Sequence, residues 1–188
     1  MARYEDEIHP VNRITTDAIG EKGARVFVLQ ASVDRRVMTW VIEKEQAVAL
    51  GRGLPQLLAD VETEFPELDE PTVAANPNLD IVTPREVEFR VGSIGLGYDR
   101  LHDLVVLTLM DVGVTEIMEE EDFEDDDEPP MTYIYTTRGQ AVLLAQQAER
   151  AVASGRPYCP NCGEPIDEFG HFCMPPDHGR LVAGNYVL

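Results

Sequence analysis

Ala24-Arg25-Val26-Phe27-Val28-Leu29-Gln30-Ala31-Ser32-Val33-Asp34-Arg35-Arg36-Val37-Met38-Thr39-Trp40-Val41-Ile42 is the stretch whose reading decides the fold. It is rich in β-branched and aromatic residues, the types that suit a pleated, half-buried surface. Asp34 and Arg35 interrupt it with residues that suit a tight turn. It therefore reads as two strands, 24–33 and 35–42, joined as a hairpin.

Upstream, 11–20 reads as a further strand. Downstream the period changes. Val48, Leu50, Leu54, Leu57, Leu58 and Val61 approximate a helical stripe, with Gly51, Gly53 and Pro55 predicting a break or kink at its middle. Residues 65–84 hold Pro66, Pro71, Pro77 and Pro84 and read as a connector. The strand pattern then returns at 86–98, 103–112 and 131–136. A helix follows over 137–154, with Thr137 as N-cap and Ala141, Leu144, Ala145, Ala148 and Val152 on one face. Gly155 and Pro157 end it.

Each half thus reads strand, strand, strand, helix. Met38-Thr39-Trp40-Val41-Ile42 resembles Met131-Thr132-Tyr133-Ile134-Tyr135, which puts Trp40 and Tyr133 at matching positions. Gln46-Ala47-Val48 resembles Gln140-Ala141-Val142, and Ala18-Ile19-Gly20 resembles Ser93-Ile94-Gly95. We read an α+β domain over 1–155, built from duplicated βββα units at 11–65 and 85–155, with antiparallel sheet backed by helices. The bland alternative is that amphipathic strands and helices resemble one another by chance.

A small tail, 156–188, carries the chemistry. It contains Cys159-Pro160-Asn161-Cys162-Gly163, then His171 and Cys173, then His178. Two cysteines three apart, followed by glycine, allow a tight turn to aim two thiolates at one ion, and Cys173 supplies a third. All three cysteines of the chain lie here, an odd number, which favours metal over disulfides. The fourth ligand is His171 or His178. His171 stands two residues before Cys173, so an extended backbone would put both on one face. Zinc in such a closed site is structural. A zinc deaminase is excluded, because neither His9 nor His102 opens the H-x-E element that chemistry requires.

The formal net charge is −20, and the tail from Cys159 onward holds a single basic side chain, Arg180. A field of that sign repels phosphate backbones and favours basic protein partners. Ten acidic residues and no basic ones fall within 116–128, read as a solvated acidic loop without the spacing of a calcium-binding loop. No apolar run approaches the roughly 20 residues of a membrane span. The acidic start of the chain is not a secretory signal, so the expected setting is the cytoplasm.

Other motifs are weak. Gly92, Gly95 and Gly97 lie in the strand 86–98, which another strand rather than a helix follows, and they mark a bulge or close packing rather than a phosphate loop. His102 falls in a hairpin turn and reads as a solvated loop histidine. No catalytic triad or nucleophile elbow is visible.

Residues 88–99 (EFRVGSIGLGYD), the Cys-Pro-x-Cys-Gly-x-Pro-Ile-Asp and Gly-His-x-Cys tail, the strand 27–31 and the segment 43–46 together resemble a conserved, mainly actinobacterial family of unknown function. The resemblance spans nearly the whole chain. It implies genes placed beside a phosphomutase-like and a kinase-like protein, but no activity. Its Gly-His-x-Cys element implies His171 as the histidine ligand. The family's tail continues as Cys-Pro-Arg, whereas this chain has Cys173-Met174-Pro175, so His178 stays the alternative. The reading is a non-enzymatic binding or adaptor protein with a structural zinc. The second reading is an enzyme or accessory subunit acting on a small molecule or nucleotide in a cleft between the halves.

Overall fold

The computed structural model describes residues 6–8, 11–21, 24–83, 86–113, 131–155, 159, 162, 166, 171–173 and 180–182. The acidic run 116–128 lies outside the described residues. The elements run β1 (Asp6–Ile8), β2 (Arg13–Ile19), β3 (Val26–Val33), β4 (Arg36–Ile42), α1 (Lys44–Glu64), β5 (Val91–Asp99), β6 (Leu104–Asp111), β7 (Met131–Thr137), α2 (Arg138–Ala153), β8 (His171–Cys173) and β9 (Arg180–Val182).

The α+β class and the repeated βββα unit hold. β2-β3-β4 is an antiparallel meander followed by α1, and β5-β6-β7 is an antiparallel meander followed by α2. The β3–β4 hairpin turns at Asp34, whose φ of 52° is a left-handed value that Asp tolerates better than most residues.

The two meanders are tied through their leading strands. β1 runs parallel to β7, and Val11 N donates to Tyr135 O at 3.2 Å. One residue later Asn12 N donates to Ser32 O at 2.8 Å, and the chain continues as β2 beside β3. The second unit repeats the device. Glu88 N donates to Thr39 O at 2.8 Å, Val41 N donates to Phe89 O at 3.1 Å, and Arg90 bridges Val41 in parallel. Then Val112 N donates to Arg90 O at 2.9 Å and β5 joins β6. Each leading strand therefore pairs first with the last strand of the other unit and then with the second strand of its own. The hydrogen-bonded circuit closes around both units at these crossovers, and beyond them β2 and β5 each end a sheet, paired on one side only.

One apolar cluster fills the interior. Leu29 pairs with Trp40 and Ala31 with Met38 in the first meander, as Leu107 pairs with Ile134 in the second, and all are buried. Ala47, Leu50 and Leu54 of α1 and Ala141, Leu144 and Ala148 of α2 join them. The helices cross over: α2 packs on β2 of the first unit, α1 packs on β5 of the second, and the helices pack on each other.

The helix N-termini explain why. Gln46 and Gln140 both occupy the third helical position. Gln46 Oε1 accepts from Glu43 N at 2.8 Å, and Gln140 Oε1 accepts from Thr137 N at 3.0 Å, half of a capping box in each helix. Their amide nitrogens then reach the other unit. Gln46 Nε2 donates to Val91 O and Gly92 O at 3.1 Å each, and Gln140 Nε2 donates to Val11 O and Asn12 O at 3.2 Å each. Gly92 sits at the register shift of β5, in agreement with its reading as a bulge.

Three sequence expectations need correction. First, α1 runs through Pro55 as one 21-residue helix. Its glycines are packing sites. A Cβ on Gly51 would meet Glu149 Cγ at 3.1 Å, and one on Gly53 would meet Leu96 Cδ1 at 3.0 Å. Close approach to α2 and β5 holds the helix where propensity alone would break it. Second, Trp40 and Tyr133 do not match. Counted from the N-caps Glu43 and Thr137, Trp40 corresponds to Ile134, and both are buried, whereas Tyr133 is half-exposed. Third, strand register makes Ile94 the counterpart of Ile14 rather than Ile19, which is 38% exposed.

The connector after α1 is ordered by side chains beneath it. Gln30 is fully buried, and its Nε2 donates to Val82 O (2.6 Å) and Thr39 Oγ1 (3.0 Å). Its Oε1 accepts from Val82 N (3.0 Å) and Arg13 (3.3 Å), so the whole amide is satisfied. Thr15 Oγ1 adds a bond to Leu79 O at 2.8 Å.

Gln46→Ala and Gln140→Ala are each expected to lower the unfolding free energy by about 1–3 kcal/mol, since each removes a cap and strips two strand carbonyls of their donor. Urea titration followed by circular dichroism checks this. An unchanged midpoint in either variant would mean that the clamp at that junction is dispensable.

Candidate functional site

α1 and α2 lie side by side, and between them opens a cleft of about 520 Å³ lined by residues of both units. Its floor is apolar, from Pro55 and Leu58 on α1 and Val142 and Ala145 on α2. Its edges carry Glu62 and Glu149, and the connector closes one end with Asp69 and Glu70.

Arg138, at the first position of α2, stands at that closed end. Its Nε donates to Asp103 Oδ1 at 2.7 Å, and its terminal nitrogen donates to Asp103 Oδ2 at 3.0 Å and to Asp69 O at 2.8 Å. Tyr98 OH donates to Asp103 Oδ1 at 2.7 Å. Phe65, just past α1, lies 5.9 Å from the Tyr98 ring, and Arg100 stacks 4.6 Å over Phe65. The Thr72 carbonyl packs against Gly139, where a Cβ would also meet Val73 N at 3.3 Å, so only glycine fits there.

The electrostatics follow from this geometry. The Arg138 hydrogen bond holds the Asp103 carboxyl below its ordinary value, and Asp103 in turn raises Arg138. Burial, then the bond to Asp103, pushes Tyr98 up to about 12. All three groups satisfy one another. Arg138 is thus a tie between the β5–β6 hairpin, the connector and α2, not an unengaged cation presented to a ligand.

His102 sits on the exposed β5–β6 turn, its Nδ1 2.6 Å from Asp99 Oδ2, and Asp99 also accepts from Leu101 N and His102 N. The contact with His102 keeps the Asp99 carboxyl below its ordinary value. Asp99 caps the turn, and His102 is the exposed turn histidine that the sequence reading expected.

Of the metal ligands expected from sequence, Cys159 is buried and Cys162 exposed. Cys159 forms a small cluster with buried Ile166, apart from the main core. His171 and Cys173 enter at alternate positions of β8, which pairs antiparallel with β9 so that His171 faces Val182 and Cys173 faces Arg180 in register. His178 lies outside the described residues. Among the described residues no group of three potential metal ligands is assembled. Sequence reasoning missed the Tyr98–Asp103–Arg138 network. Asp103, whose φ is 53°, reads in sequence only as the start of the strand 103–112.

Asp103 tests the network. Its folded-state pKa is depressed, so its contribution is present near neutral pH and is lost as the pH falls through the folded value, below the ordinary 3.8. Asn tolerates the same left-handed backbone, so Asp103→Asn removes the charge without backbone strain. The variant is expected to be less stable at pH 7 and to lose less of its remaining stability between pH 5 and 2 than the parent. Parallel acid limbs in thermal melts would dismiss the coupling.

No curated protein and no solved structure matches the chain. A family model described as a protein of unknown function (DUF3090) matches residues 7–173, taking in both units, the cleft and the tail as far as Cys173. The chain belongs to the DUF3090 family of proteins of unknown function.

Proposed function

We propose that this chain is a non-enzymatic binding or adaptor protein whose C-terminal tail is organised by one structural zinc. The ligands are Cys159, Cys162, His171 and Cys173, with His178 the alternative to His171. The observation that carries this reading is the burial of Cys159 at 2% exposure, beside Ile166 at 4%, in a cluster separate from the main core. A tail this short can build little core of its own, and a metal cross-link would supply much of its folding energy. The β8 backbone supports it too, since alternate positions of a strand are those a His-x-Cys pair needs to share an ion. The expected partner is a basic protein, since the charge of −20 disfavours nucleic acid and nucleotides.

An enzyme acting in a cleft between the halves is the second reading, favoured by the 520 Å³ cleft, a volume within the range of ligand sites. Its shifted ionisable groups argue for the binding role instead. Asp103, Arg138 and Tyr98 are engaged with one another, and a catalytic acid or base needs a proton poised for transfer near the working pH.

The test is elemental mass spectrometry of protein purified without chelator. One zinc per chain is expected, lost in the Cys159→Ser, Cys162→Ser double variant. His171→Ala should lose it and His178→Ala retain it. Metal-free protein from chelator-free preparations would overturn the reading.

A further inference from the structure

We infer that the cleft between α1 and α2 is a docking groove for a basic amphipathic helix of a partner protein. This rests on the binding-protein reading above and gives that binding a place and a chemistry.

The groove has the shape of a missing third helix. Pro55, Leu58 and Glu62 follow one another at helical spacing along α1, as Val142, Ala145 and Glu149 do along α2. Past Glu149 the same two stripes continue into a shallower depression of about 290 Å³, bounded by Ala47, Gly51 and Val152. From Ala47 to Glu62 the groove follows about four turns of α1, roughly 23 Å at 1.5 Å per residue, enough to seat a partner helix of similar length. An amphipathic helix laid on two packed helices buries its apolar face in their shared groove.

Charge selects the occupant. The apolar floor is bordered by Glu62 and Glu149, and its closed end carries Asp69 and Glu70. Of the cations, Arg138 is bound to Asp103, and Arg52 lies beyond Glu149 in the shallow depression. A second copy of this chain would bring its own charge of −20 against these carboxylates. The acidic segment 116–128 is repelled in the same way. A helix with an apolar stripe flanked by Lys or Arg matches both the floor and the edges.

The probe is a fluorescein-labelled 18-residue Leu/Lys amphipathic peptide, titrated with zinc-replete full-length protein and read by anisotropy. A Leu/Glu peptide with the same apolar face serves as control. The Leu/Lys peptide is expected to bind with an affinity that falls with salt, and the Leu/Glu peptide is not. Ala59→Trp with Gln146→Trp fills the groove at two exposed positions and should weaken binding by about tenfold or more. Glu62→Gln with Glu149→Gln should weaken it about fivefold and flatten the salt dependence. Asp17→Asn with Glu21→Gln removes the same charge from exposed sites elsewhere and should change it less than about twofold. Equal affinity across all variants would reduce the effect to the overall acidic field and overturn the groove. Binding of the Leu/Glu peptide, or no binding of either peptide, would overturn it as well. The zinc content of the same preparation reports on the tail independently, so failure of the groove and failure of the metal reading are distinguishable.

Discussion

Two glutamines at the third position of two helices hold the molecule to its form. Gln46 and Gln140 each close a cap within their own unit and donate to backbone carbonyls at the start of the other unit's leading strand. These carbonyls lie where the leading strand leaves one partner strand and takes up another, a point at which ladder hydrogen bonds run out. Three of the four bonds are part-buried, where a carbonyl without a donor is costly, and the amide of a long, uncharged side chain can serve two carbonyls at once. The crossed arrangement of helices and meanders follows, because the helix that supplies the glutamine must start beside the strand it serves.

That crossing also determines where a binding surface can form. With α1 on β5 and α2 on β2, each helix covers the other unit's sheet and both are brought side by side. Two helices that touch leave a furrow along their line of contact. Here the furrow is closed at one end by the connector, and the Arg138–Asp103 pair holds that end together. The pair is the pivot of the closed end, since Arg138 bonds the β5–β6 hairpin and the connector from the first turn of α2. The stiffness of the groove wall is thus inherited from the fold.

Most of this was legible in the sequence, and the failures have physical causes. Strands 26–33 and 36–42 were readable because alternation and β-branching agree. The duplication was readable, and the match of Gln46 with Gln140 was right, but the strand matches slipped in register. Met-Thr-aromatic resembles Met-Thr-aromatic as letters, yet pairing puts Trp40 inside and Tyr133 on the half-exposed face. A one-residue slip on a strand exchanges its faces, and letter similarity does not register this. β1 was missed because three residues in an acidic segment carry no period. Pro55 misled because propensity is local while the contacts of Gly51 and Gly53 are tertiary. The cysteine spacing of the tail was legible as chemistry, whereas the cleft was not, because no local pattern announces that two distant helices will lie together.

The internal repeat separates what the fold requires from what it leaves open. Counted from the N-caps, the buried helix positions keep their character: Ala47 corresponds to Ala141, Leu50 to Leu144, Gly51 to Ala145 and Leu54 to Ala148. All face the same core, and packing density permits little else there. The groove edges do not repeat. Glu149 corresponds to Pro55, and Glu62 falls opposite a position beyond the end of α2. Arg138 corresponds to Lys44, and only Arg138 has the left-handed Asp103 placed to receive it. Packing explains the positions that agree. At the border, packing seats the Glu149 stem against Gly51 but does not dictate the charge at its tip. The asymmetry thus lies on a surface that the symmetric core supports without dictating its charge.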